Sequence, residues 1–240
     1  MKLLTIDTSS GPLVVASVQD HQVLAQVSET QLKSHSIQLL PAIDQVVQQA
    51  GWQPQDLERI VVAQGPGSFT GLRIGVTTAK VLAWTLEKEL VGVSSLAVLA
   101  GNVPNFAGLI VPVIDARNQN VFAGVYQVVR GELQAVVADC HTSLAQLLLQ
   151  LQAMALPVQF VGDLPAEDLA LIKAQLPDAK FYANNQPQGH VLAHLGQKQT
   201  PVVNLDTFIP KYLRQTQAEV VWAHKNPTLD SQNQHYVEDV

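Results

Sequence analysis

A single cysteine, Cys140, excludes an internal disulfide and fits a reducing compartment. It lies in an apolar strand-like run, 135–140, with His141 its one basic neighbour, so it is expected in the core and not as a reactive thiol. Basic charge is also sparse. There are 14 Lys and Arg against 20 Asp and Glu, a net charge of −6, and the basic residues form no cluster along the chain. Phosphate neutralisation supplies most non-specific nucleic-acid affinity, so the chain is expected to bind nucleic acid poorly alone and to meet it through a partner. No apolar run approaches the roughly 20 residues of a membrane helix, and the N-terminal run 1–7 is too short for a secretory signal. The expected location is cytoplasmic. Metal-ligand clusters are missing too. His190 and His194 are spaced four apart without a third ligand, and are expected to be ordinary surface or half-buried histidines.

What is present is apolar residue, at 47%, and glycine in one telling place. Residues 65–75 read GPGSFTGLRIG, between the strand-like run 60–63 and a long helical pattern. No Lys-Ser/Thr follows the last loop glycine, so this is not a P-loop. The glycine spacing is wrong for a dinucleotide fingerprint, and Ser68 lacks the flanking glycines of a nucleophile elbow. Two readings remain open. The loop is an anion-receptive cradle at a helix N-terminus, or it is a tight turn whose glycines serve packing. Gly71, Gly75 and Ala79 then give one helix face a smooth surface.

The order of elements repeats. Strand 3–7, hairpin 13–19 and 23–28, helix 36–50, strand 57–63, helix 70–89, strand 90–93 and short helix 94–102 make one βββαβαβα unit. Strand 109–115, hairpin 121–129 and 132–139, helix 143–155, strand 158–161, helix 166–176, strand 180–183 and helix 190–198 make another. This predicts an α/β protein with the duplicated two-lobed fold of the actin, sugar-kinase and Hsp70 ATPase (ASKHA) superfamily. The expected division is a first lobe over 1–103, a second over 104–208, a helix over 209–224 returning to the first lobe, and a disordered tail over 225–240. In that superfamily the turns after the first strands cradle phosphates. Asp7, Thr8 and Ser9, with Gly65, Gly67 and Ser68, could form one such cradle. The second half offers only Asp115-Ala116-Arg117-Asn118 and the single glycine of Gly162-Asp163-Leu164-Pro165. The first set is therefore expected to be a vestigial phosphate loop.

The stretches LLTIDTS, HSIQLLPAID from His35, GPGSFTGLRIGVTTAKVLA from Gly65, VSSLAVLA from Val93, VIDARNQNVFAGVY from Val113 and PKYLR from Pro210 resemble the TsaB (YeaZ) family. They cover the first half almost completely and the second in patches. The resemblance implies a non-catalytic scaffold and activator of tRNA N6-threonylcarbamoyladenosine synthesis. It implies pairing with a TsaD-like catalytic subunit, help in recruiting a TsaE-like ATPase, and a homodimer when alone. tRNA would be met only through the complex. The chain is expected to have no catalytic residues, cofactor or metal of its own, with ATP/ADP and metal held by the partners. TsaD-like proteins carry two histidines four apart on the first helix; here His35 is followed four on by Leu39, and one imidazole does not hold a catalytic metal. A rival reading is an ATP-dependent phosphotransferase or ATPase of the same superfamily, with Asp7 orienting metal or water.

Helices 36–50 and 70–89 are apolar around most of their circumference, more than a surface helix needs. The surplus is read as burial against a partner, and the resemblance implies pairing through the same two helices. The expected partner-binding residues are His35, Ser36, Leu39, Leu40, Ile43, Val46 and Val47, with Gly71, Leu72, Arg73, Gly75, Val76, Ala79 and Leu82. Glu at Leu39 or Val46, or bulk at Gly75, is expected to break pairing without unfolding the lobe. Arg73, in the first helical turn, would reach a partner's acceptor or solvent; Lys80 would be exposed.

Overall fold

The computed structural model describes residues 1–30 and 35–214. The expected tail, and the expected last helix beyond residue 214, lie outside the described residues. The first sheet holds β1 (Lys2–Asp7), β2 (Leu13–Gln19), β3 (Gln22–Glu29), β4 (Arg59–Gly65) and β5 (Glu89–Ser94), ordered β3-β2-β1-β4-β5. The second holds β6 (Leu109–Asp115), β7 (Asn120–Val129), β8 (Glu132–Ser143), β9 (Val158–Val161) and β10 (Lys180–Phe181). Read from its β8 edge, its order is β8-β7-β6-β9-β10. In both, the first three strands are antiparallel neighbours and the last two are added parallel. The two sheets have the same topology, and the fold is the two-lobed ASKHA arrangement.

The helices are α1 (His35–Gln49), α2 (Phe69–Leu86), α3 (Ser95–Gly101), α4 (Leu144–Met154), α5 (Ala166–Gln175) and α6 (Gly189–Lys198). Serine N-caps start three of them. Ser68, Ser94 and Ser143 accept from the N–H groups of Gly71, Ala97 and Gln146, each cap contributing about 1 kcal/mol. The central strands β1 and β4 are buried on both faces, which is why they read as apolar runs without alternation. Leu4 and Ile6 of β1 pack with α1 and α2, while Leu3 packs with α6 on the opposite face.

The packing units are not the sequence halves. α3, from the first half, buries Leu96, Leu99 and Ala100 against Ile110, Tyr126 and Val161 of the second sheet. α6, from the second half, packs Val191, Leu192 and Ala193 against Leu3, Ala16, Val61 and Val91 of the first. The buried Arg59 fastens this exchange: it pairs with Glu89 at 2.7 Å and donates to the Gly196 carbonyl at the end of α6 at 2.9 Å. A division between residues 103 and 104 therefore cuts through two cores. Ser94 also donates its hydroxyl to Asp139 on β8, which accepts from Tyr126 OH at 2.5 Å. Burial raises both the Asp139 carboxyl and the Tyr126 phenol above their ordinary values.

After α6 the chain returns along the first lobe as a strap. Val202 N donates to Leu90 O, and Lys211 N to Gln64 O, both at 2.8 Å. Residues 209–214 are not helical, contrary to expectation. Pro210 lacks an N–H and disfavours helix at Ile209, and the Lys211 N–H is held by the end of β4. Cys140 is half-buried on β8, outside the core, and burial raises its thiol. Among the described residues no helix is long and apolar enough to cross a membrane.

Candidate functional site: the glycine turn and the outer face of helices α1 and α2

The β1 turn and the glycine loop fill one another. Asp7 Oδ1 accepts from Ser9 N at 2.9 Å and Ser9 Oγ at 2.7 Å. Ser9 O accepts from Ser68 N at 2.7 Å. Thr8 Oγ1 donates to Gly71 O at 2.7 Å. A Cβ at Gly67 would collide with the Ser9 carbonyl, one at Gly71 with the Thr8 carbonyl, and one at Gly75 with the Thr8 hydroxyl. These glycines let the β1 turn lie directly on the start of α2. The N–H groups of Ser9, Ser68 and Gly71, which a phosphate would use, are engaged within the chain. The geometry shows the glycines packing against the β1 turn, and the same loop also lines the cleft between the lobes. Gly65 adopts φ 124° against the Lys211 carbonyl of the strap, just before a cis Gly65–Pro66 peptide. Asp7 is fully buried with Oδ2 unpartnered, and desolvation pushes its carboxyl up to about 6.

Beyond the turn, a cleft of about 760 Å³ separates the lobes, lined among others by Ser10, Gly11, His35, Thr70, Asp115 and Asn185. His35 Nε2 lies 3.2 Å from Gly11 O. Asp115 repeats the Asp7 turn, accepting from Arg117 N at 2.7 Å. His190 and His194 are exposed on α6, and His194 sits 6.1 Å from the His21 ring. Among the described residues no group of three or more His, Cys, Asp or Glu could hold a metal ion.

The expected partner-binding residues divide into two shells. Leu39, Ile43, Val46 and Val47 of α1, and Leu72, Gly75, Val76 and Ala79 of α2, are buried in the lobe's own core, as is Gly71. They are committed mainly to packing within the lobe, although Ile43 and Val47 also line the groove between the two helices. The smooth glycine face is covered by Thr8. Glu at Leu39 or Val46, or bulk at Gly75, would disrupt the lobe itself. Leu40 stands 59% exposed, Ser36 is exposed, and His35 and Leu82 are half-buried. Leu40 shares with Leu82 and Leu86 a groove of about 430 Å³ between the two helices.

The sequence reading missed three exposed apolar side chains of these helices. Ile37 is 73% exposed, Trp84 75% and Val81 53%. Their signal was the same apolar surplus, placed at positions outside the inward stripe. Arg73 is exposed and is oriented within the chain: its Nε donates to Tyr212 OH at 3.0 Å and its guanidinium lies 4.0 Å from the Phe69 ring. Lys80 likewise donates to the Asp206 carbonyl at 3.2 Å.

Comparison with known proteins accords with this geometry. Residues 22–222 match the family described as TsaD: tRNA N6-adenosine threonylcarbamoyltransferase. The tRNA threonylcarbamoyladenosine biosynthesis protein TsaB of Bacillus subtilis (strain 168) is 40% identical over 225 residues, covering 92% of this chain and 98% of that protein. The tRNA N6-adenosine threonylcarbamoyltransferase of Anaeromyxobacter sp. (strain Fw109-5) is 34% identical over 112 residues, which cover 40% of this chain and 34% of that enzyme. The solved YeaZ from Pseudomonas aeruginosa superposes with a TM-score of 0.74 at 26% identity, covering 88% of this chain and 99% of that one. The full-length match to TsaB and the partial match to the transferase agree with a shared fold, and this chain belongs to the TsaB (YeaZ) family of tRNA threonylcarbamoyladenosine biosynthesis proteins.

Proposed function

We propose that the chain is a non-catalytic scaffold in tRNA threonylcarbamoyladenosine (t6A37) synthesis. It pairs with a TsaD-like catalytic subunit through the outer face of α1 and α2, forms a homodimer through the same face when alone, and helps recruit a TsaE-like ATPase. ATP/ADP and metal belong to those partners. The observation that carries this role is the row of outward apolar side chains on two adjacent helices, Ile37, Leu40, Val81 and Trp84. Water-facing apolar groups on neighbouring helices mark interaction surfaces, and an exposed tryptophan is a typical energetic anchor. Two further features support a passive role. Leu39, where a second metal histidine would stand, is core, and the Ser68 and Gly71 N–H groups of the glycine turn are bonded within the chain.

Size-exclusion chromatography with light scattering tests this, with the chain alone and mixed with the TsaD-like protein of the same source, with and without ATP and the TsaE-like ATPase. The expected result is a homodimer that exchanges into a heterodimer. A monomer that ignores the TsaD-like protein contradicts it. The superfamily-enzyme reading keeps one observation in its favour: the interlobe cleft is of ligand-pocket size. Micromolar ATP binding by the isolated chain would select it.

A further inference from the structure

The basic residues, scattered in sequence, gather in space at one mouth. A cavity of about 500 Å³ lies between the glycine loop, the β6–β7 turn and the strap. Arg117, Lys211 and Arg214 line it, no acidic side chain does, and Arg73 stands at its edge through Tyr212. Four of the 14 basic residues thus meet in a chain of net charge −6. Aromatic rings are interleaved with them. Phe69 and Tyr212 pack as a tilted pair with centroids 4.8 Å apart and planes at 31°, and Phe122 completes the wall. Asp115 pairs with Arg117 at 3.2 Å but leaves that side chain 83% exposed. Arg214 anchors itself by donating to Ala116 O at 2.7 Å.

The loop that presents Arg117 is held in an unusual shape. Arg117, Asn118 and Gln119 are three successive left-handed residues, with φ of 69°, 53° and 58°. Non-glycine residues pay for that conformation, and such strain concentrates where a side chain must be aimed. Here Asn120 ties the turn by donating to Arg117 O and Asn118 O.

We propose that this mouth is a contact site for a single-stranded RNA segment, with Arg73, Arg117 and Arg214 on phosphates and Phe69 and Tyr212 beside a base. Guanidinium groups alternating with rings suit a polynucleotide better than an acidic peptide, because rings stack on bases while cations track the backbone. The site lies on the strap flank of α2, apart from the pairing face. Naming RNA as the ligand rests on the proposed role in tRNA modification. It amends the expectation that tRNA is met only through partners: the contact is local and too small to give strong binding by the chain alone.

The experiment uses the full chain, alone and paired with the TsaD-like subunit. A tRNA transcript, a short single-stranded RNA and ATP are titrated by fluorescence anisotropy from about 50 to about 200 mM salt. Arg117→Asn keeps a residue that tolerates the left-handed turn, and Arg73→Gln keeps a donor for Tyr212. The double variant is expected to bind RNA at least about tenfold more weakly and to lose roughly 1.4 from the log K against log salt slope, as two released phosphate contacts require. Photocrosslinking of thiouridine RNA should mark Tyr212 in the unaltered chain, which gives a readout independent of any variant's folding. Unchanged affinity and slope with no crosslink at Tyr212 overturns the site. ATP binding that is lost in the double variant, while RNA binding is kept, overturns it in favour of a free nucleotide. Failure of the pairing reading is separable: a chain that ignores the TsaD-like subunit yet crosslinks RNA at Tyr212 loses the scaffold role and keeps this site.

Discussion

The two lobes begin with the same turn and put it to different ends. Asp7 and Asp115 each close the first strand of their sheet by accepting from the N–H two residues on. In the first lobe that turn is sealed. Ser9 and Thr8 bond to the glycine loop, and Asp7 is buried beneath them. In the second it stays open. Asp115 meets an exposed arginine, and the loop after it runs through three left-handed residues facing the cleft mouth. Duplication supplies one topology twice; packing decides which copy becomes core and which stays available.

Breaking the sealed copy should have the largest effects. Val46→Glu places a charge at a fully buried position and should cost about 4 kcal/mol or more, enough to prevent folding of the first lobe. Urea unfolding, or loss of soluble protein, reads this out. Gly71→Val drives a side chain into the Thr8 carbonyl and should cost about 2–3 kcal/mol. Gly11→Ala, where an added Cβ meets nothing within 4 Å, should stay within about 0.5 kcal/mol. Equal melting points for these two variants would remove the packing explanation of the glycine loop.

The buried carboxylate gives a pH signature. Asp7 titrates at about 6 in the folded protein against its ordinary 3.8. The folded state holds the proton more tightly than the unfolded chain. This group therefore favours folding below about pH 4, and the contribution fades as pH rises through about 6, a change of about 3 kcal/mol. Asp7→Asn keeps an oxygen for the Ser9 bonds and should flatten the stability profile between those pH values. An unaltered profile would show that Asp7 is not the group responsible. Asp115→Asn removes only a partly solvated pair and should cost less than about 1 kcal/mol.

The order of strands and helices along the chain was legible because each element carries its own period. β1 and β4 read as apolar runs, and α1 and α2 as helical patterns whose observed ends fall within a few residues of expectation. The exchange of α3 and α6 was not legible. Their apolar faces show that they are buried, but not on which sheet. The strap was missed as an extended segment because its bonds go to Gln64 and Leu90, far away in sequence. At the pairing surface, neighbours such as Leu39 and Leu40 are chemically alike. Only the direction of each Cβ separates a side chain 1% exposed from one 59% exposed. The basic mouth was invisible for the same reason, since its residues lie at 73, 117, 211 and 214.

The account rests on the outer shell of α1 and α2 being for pairing while the inner shell is for folding. Trp84→Glu tests this most directly, with heterodimer affinity for the TsaD-like subunit and the melting temperature measured on the same preparation. The predicted result is pairing weakened at least about 30-fold with the midpoint moved by no more than about 2 °C. Unweakened pairing, or a collapse in stability that accounts for the loss, would contradict it.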